Sequence, residues 1–225
     1  MIFDYLKILF ISFLPSLFWL IVCCYFDWKR PEPIRQIIKV FGWGILITVP
    51  VFLIAHPLTA WINGIHLPVY LTIFILSFLV DGLIEETAKY LILRIHVFKL
   101  QSFDEPRDGI IYGMTAALGL AFAENFLYVL LIGPEIIFFR FATTTLMHFL
   151  AGGIIGYHFG LVRFYRMKEE KRHFLIWRGL ILAIIFHGLY NSFVRFQVFW
   201  SFIPMVLLLI GAYLYILFDL KKFSS

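Results

Sequence analysis

Seven apolar stretches organise this chain, at about residues 5–25, 36–55, 68–93, 109–132, 139–163, 174–195 and 198–219. Each is close to the ~20 residues that an α-helix needs to cross a bilayer at 1.5 Å per residue. The expected fold is therefore all-α, a polytopic membrane helical bundle of about seven transmembrane helices. Composition agrees: 62% of the residues are hydrophobic and 15% charged, far from a soluble domain. The net charge of +5 does not indicate nucleic acid, because the basic residues gather in short connections between apolar stretches. Cys23 and Cys24 are neighbours, a poor geometry for an unstrained disulfide, and read as small apolar residues. Met1 to Tyr25 lacks the basic start and small-residue cleavage site of a signal peptide and is expected to stay as a span. With no repeat, low-complexity tract or linker, residues 1–225 read as a single integral-membrane domain.

The basic residues set the orientation. Lys29, Arg30, Arg35 and Lys39 flank the first connection, and Arg94, Lys99 and Arg107 the third. Arg163, Arg166, Lys168, Lys171, Arg172 and Arg178 flank the fifth, and Lys221 and Lys222 end the chain. Only Lys7, Arg140 and Arg195 fall on the other side. That asymmetry predicts an outside N-terminus and a cytoplasmic C-terminus.

Within this apolar background stand residues that lipid does not tolerate. A charge at a helix centre costs roughly 2.5–3.5 kcal/mol on insertion scales, so Glu85, Glu86 and Glu124 are expected to turn inward. Asp81, Glu85 and Lys89 share one helical face, with Glu86 about 100° around. Lys89 can neutralise one glutamate of the pair and leave the other to take a proton from water. Glu124, His148 and His187 each come out roughly 12–14 Å below the outer ends of their helices. Asn191 follows His187 by four residues and points the same way. Base, imidazoles and an amide donor are what water attack on a peptide carbonyl requires. His148, His187 and Glu124 also match a catalytic zinc set of three protein ligands, though no H-E-x-x-H is present. His56, His66, His96, His158 and His173 read as interface or loop residues. Gly152, Gly156 and Gly160 form a groove for close approach of another helix.

The ordered set Glu85-Glu86-Thr87-Ala88-Lys89, Glu105 to Gly113, and Gly119 to Glu124-Asn125 with Tyr128 resembles the PrsW family of intramembrane proteases. His148, His187 to Asn191, and Pro31-Glu32-Pro33 continue that resemblance over nearly the whole chain. PrsW is related to the CAAX-prenyl endopeptidase and bacteriocin-processing superfamily. The resemblance implies a multi-pass enzyme of a prokaryotic plasma membrane that cleaves membrane-anchored proteins, such as single-span anti-sigma factors. It implies Glu85, Glu86 and His187 as the key catalytic positions, with Glu124, His148 and Asn191 completing the site. Catalysis through Zn²⁺ and through a metal-free glutamate–histidine pair both stay open. Leu120 stands where the family usually has an aromatic, and Phe122 is expected to fill that volume. The rival from another class is a proton-coupled transporter using the Glu/His cluster as a relay. It would favour paired discontinuous helices or inverted repeats, which the sequence does not show. A retinal-type receptor lacks its lysine in 198–219, and a scaffold leaves the Glu/His cluster without a use.

Overall fold

A computed structural model describes residues 2–26, 28, 30–196 and 202–223. Lys29 and the first four residues of the 198–219 stretch lie outside them. Every element among the described residues is helical: α1 (Ile2–Phe26), α2 (Ile34–Gly64), α3 (Val69–Ile75), α4 (Leu83–Ile92), α5 (Asp108–Leu131), α6 (Ile136–Ala142), α7 (Thr144–Phe164), α8 (Glu169–Phe196) and α9 (Phe202–Phe223). Two π-helical stretches, Leu76–Gly82 and Leu93–Val97, bracket α4 and join it to α3 in one helical run. Among the described residues, five helices are long and apolar enough to span a bilayer: Asp4–Tyr25, Ile34–Gly64, Asp108–Leu131, Ile136–Phe164 and Glu169–Phe196. The run around α4 carries the ionisable residues of the third stretch, and Ile203–Ala212 is a shorter apolar helix.

Two boundaries differ from the expectation. Helix α2 continues past residue 55 to Gly64, through Pro50 and Pro57. A proline inside a membrane helix is tolerated where neighbours and local adjustment satisfy the freed carbonyl. The stretch 139–163 is split, because Thr143 leaves helical geometry (φ −125°, ψ −69°) between α6 and α7. Its hydroxyl turns back onto the Phe139 carbonyl at 2.7 Å, a local bond that competes with regular helix.

The centre of the bundle is the α5–α7 pair. Helix α5 is buried without interruption from Asp108 to Ala121, and 89% of the most apolar window of Ile136–Phe164 is enclosed, against 22% for α1. Glycines make this possible. A Cβ on Gly113 would collide with the Gly152 carbonyl, one on Gly156 with the Gly109 carbonyl, and one on Gly160 with Pro106. The predicted groove is thus occupied by α5, backbone against backbone, as small-residue seams in membranes allow. Because the α7 end of this seam leads to His148 and the α5 end to Glu124, it also sets the spacing of the site. Gly156→Leu is expected to abolish recovery of monodisperse protein in detergent, since the obstruction is backbone that cannot move aside. Size-exclusion chromatography checks this, and a normal monodisperse yield would contradict the seam.

Candidate active site

The site is built where the π-helical stretch meets α5, α7 and α8. A π-winding (i→i+5 bonds) changes the phase of every face that follows it and recurs at functional sites. Here it includes Asp81 and ends at Gly82, just before the turn that carries the glutamate pair. Asp81 accepts a hydrogen bond from Asn191 Nδ2 at 2.8 Å and pairs with Arg195, which also donates to Ser77 Oγ at 3.0 Å. Lys89 makes its choice between the two glutamates: Nζ donates to Glu86 Oε1 at 2.6 Å, both side chains fully enclosed. The same ammonium donates to His148 Nδ1 at 3.0 Å. Glu86 Oε1 also meets His187 Nδ1 at 2.6 Å.

These partners assign the imidazole protons. His187 donates from Nδ1 to the Glu86 carboxylate, which leaves its Nε2 lone pair facing Glu85, 3.9 Å from Oε2. His148 accepts from Lys89 at Nδ1 and donates from Nε2 to Glu124 Oε2 at 3.1 Å. The two rings meet edge to face with centroids 5.2 Å apart. Glu85 Oε2 is 3.9 Å from both His148 Nδ1 and His187 Nε2 and is buried without a hydrogen-bond partner. Glu86 Oε2 is likewise unpartnered, but Glu86 is sealed behind the site.

A cavity of ≈ 490 Å³ lies in front of this cluster. Glu85, Glu124, His148, His187 and Asn191 line it, together with Asp81 and Arg140. Of the six expected site residues, five therefore share one cavity, while Glu86 sits behind it as the anchor of Lys89 and His187. The cavity follows α2 from Thr48 to Thr59 and α5 from Glu124 to its last residue, so it runs toward the C-terminal ends of both helices.

The donor set for a metal differs in one member from the one the sequence suggested. Glu85, His148 and His187 each bring one ligand atom, all within 4.8 Å of one another. Glu124 lies instead on the far ring nitrogen of His148, paired with Arg140 at 3.0 Å. Two imidazoles and a carboxylate are a catalytic zinc donor set, and His187 already has the carboxylate behind its other nitrogen that metal-binding histidines favour. The unpartnered Glu85 Oε2 fits the same role.

Arg140 is the residue that sequence reasoning misplaced. The charge count puts it on the outer side, whereas it is 5% exposed and bonded to Glu124 and Asn125. A signal existed, since an arginine inside an apolar stretch is a functional candidate by its position. Arg195 was counted the same way and is bound to Asp81. Leu120 is itself fully buried, and Phe122 packs between Phe13 and Phe41. His158 bonds the Ile154 carbonyl inside α7 and His96 stacks on Trp43, both structural placements.

Comparison with known proteins gives one consistent result. The family described as PrsW family intramembrane metalloprotease matches residues 32–218. A protein named Protease PrsW from Geobacillus kaustophilus is 30% identical over 176 residues, 78% of this chain and 74% of that protein. Protease PrsW of Bacillus subtilis is 32% identical over 160 residues (71% and 70%), and that of Clostridioides difficile 27% over 200 residues (86% and 82%). No solved structure matches. Apolar spanning helices around a Glu/His-lined cavity, together with these relatives, define a multi-pass membrane-embedded protease. The chain belongs to the PrsW family. None of these comparisons points to a transporter.

Proposed function

We propose that this protease hydrolyses a peptide bond in a membrane-anchored protein, with Glu85 as the base that activates water. One observation carries the reading. Of the two adjacent glutamates, Glu86 is engaged by Lys89 and His187, while Glu85 lines the cavity and its Oε2 lies between two imidazoles without a hydrogen-bond partner. In the reaction, Glu85 takes a proton from water as the water oxygen attacks the scissile carbonyl carbon. His187 Nε2 accepts the second water proton in a hydrogen bond and so aims the oxygen. Asn191, held through one N–H by Asp81, offers its amide to the negative charge that develops on the carbonyl oxygen. As the C–N bond breaks, Glu85 returns its proton to the leaving amine, giving a new carboxyl and a new amino terminus. If zinc is resident, Glu85, His148 and His187 would hold it once Lys89 gave up His148 Nδ1, and the ion would then polarise the carbonyl and acidify water in place of the base role of Glu85.

The site's position inside the bundle supports a membrane-anchored substrate, and single-span anti-sigma factors, the class implied by the resemblance, fit that reading. Seven spans with the N-terminus outside remain the reading that the basic residues favour. Arg140 and Arg195, two of the three residues that opposed it, are bound in the site and belong to no loop. The C-terminal ends of α2 and α5 would then lie outside, and water would enter the cavity from there. Reporter fusions after Leu100 and after Arg172 should both read cytoplasmic, and an exterior reading of either would overturn that orientation.

The metal is tested on the purified protein. Bound zinc near one equivalent, lost in His187→Ala and on chelation together with cleavage and restored by zinc, is the expected result for a resident ion. Full cleavage by metal-free protein would assign water activation to Glu85 and His187 alone.

A further inference from the structure

Arg140 takes no part in the steps above, yet three neighbours fix it in place. Its Nη2 donates to Glu124 Oε2 at 3.0 Å, its Nε donates to Asn125 Oδ1 at 2.6 Å, and the guanidinium carbon lies 4.0 Å from the centroid of the Tyr128 ring. Asn125 in turn donates to Thr145 Oγ1 at 3.1 Å, which ties the group to α7. The short helix α6 that carries Arg140 is itself fastened to α1, where Trp19 Nε1 donates to the Phe141 carbonyl at 3.2 Å.

The oxygen that Arg140 holds is also the oxygen His148 uses. Glu124 Oε2 accepts from Arg140 Nη2 and from His148 Nε2 at once. An acceptor fixed at that point keeps the His148 proton on Nε2 and its lone pair on Nδ1. That nitrogen then faces Lys89 at 3.0 Å and Glu85 at 3.9 Å. We propose that Arg140 is a positioning residue for hydrolysis: it clamps Glu124 and thereby sets the ring orientation and tautomer of His148 opposite Glu85. The inference rests on reading the cavity as the hydrolytic site. An arginine suits the task where a lysine does not. Its planar fork reaches Glu124 and Asn125 together while its face lies on Tyr128, and an ammonium is a point charge that cannot do all three. Nor is the pair explained by stability alone, since an enclosed ion pair contributes little net stability over apolar residues of the same volume.

Arg140→Lys, Arg140→Met and the double variant Arg140→Met/Glu124→Gln are compared on a single-span substrate, with kcat expressed per folded molecule and thermal melting recorded alongside. Arg140→Lys keeps the charge, so melting should stay near wild type while kcat falls roughly 10–100-fold and KM moves little. The double variant leaves no unpaired charge and keeps a carbonyl acceptor for His148, so its kcat should exceed that of Arg140→Met by about tenfold or more. Wild-type kcat in Arg140→Lys would overturn the inference. So would a folded double variant no more active than Arg140→Met, which would place Arg140 on the substrate. Glu85→Gln run in parallel separates the layers. If it cleaves like wild type, the hydrolytic reading of the cavity fails and takes this inference with it. If it is inactive while Arg140→Lys is normal, only the role of Arg140 falls.

Discussion

Glu85→Gln is expected to lower cleavage by roughly 10²–10⁴-fold, the range for losing a general base, while the protein stays folded. Glutamine keeps the size of the side chain but has no carboxylate to take the proton. Glu85 has no ion-pair partner within normal bonding range, its nearest ring nitrogens being 3.9 Å away, so little stability is lost. The melting temperature should stay within about 2 °C of wild type, as for a substitution that keeps the side chain's volume and breaks no close ion pair. Near-normal kcat with unaltered folding would remove Glu85 from the chemistry and with it the hydrolytic reading of the cavity.

Glu86→Gln should behave in the opposite sense, by destabilising the bundle. Glu86 and Lys89 form an ion pair at 2.6 Å with both side chains fully enclosed. Taking away one member leaves a buried ammonium with no directly bonded counter-charge, Glu85 being the nearest carboxylate left, at a cost of about 3–5 kcal/mol. For a chain of this size that corresponds to a melting point about 6–20 °C lower. Cleavage falls as well, because Lys89 and His187 both orient through Glu86 Oε1. Glu86→Gln/Lys89→Met removes the unpaired charge and should recover much of the melting temperature without recovering the rate. A Glu86→Gln protein as stable as wild type would mean that Lys89 finds another anion, and the division of labour between the two glutamates would have to be redrawn.

That division was only half legible in the sequence. The spacing showed that Lys89 could reach either glutamate, and the burial cost of charge in lipid turned Glu, His and Asn inward toward one site. It did not show which carboxylate would be neutralised. Depth arithmetic on straight helices groups the two histidines with Glu124 and leaves Glu85 out of that set. The π-helical stretch Leu76–Gly82 rewinds the run just before Glu85, and no residue pattern announces it. Long helices were legible because apolar runs of bilayer length have few other folds. The α5–α7 seam was half visible, since the glycines of α7 could be read but Gly109 and Gly113, which meet them, were not singled out. Arg140 was missed for a different reason. Counting charges by loop ignores that an arginine beside an apolar run can fold inward onto a carboxylate.

The central claim is that Glu85 and the imidazoles around it cut a peptide chain held in the same membrane. Its most direct measurement reconstitutes purified protein with a labelled single-span substrate in lipid vesicles and identifies the new termini by mass spectrometry. One cut, within or just beyond the outer half of the substrate's apolar segment, made by wild type and not by folded Glu85→Gln, is the predicted result. A substrate left intact by wild type, or cut equally at the same bond by Glu85→Gln, would contradict it.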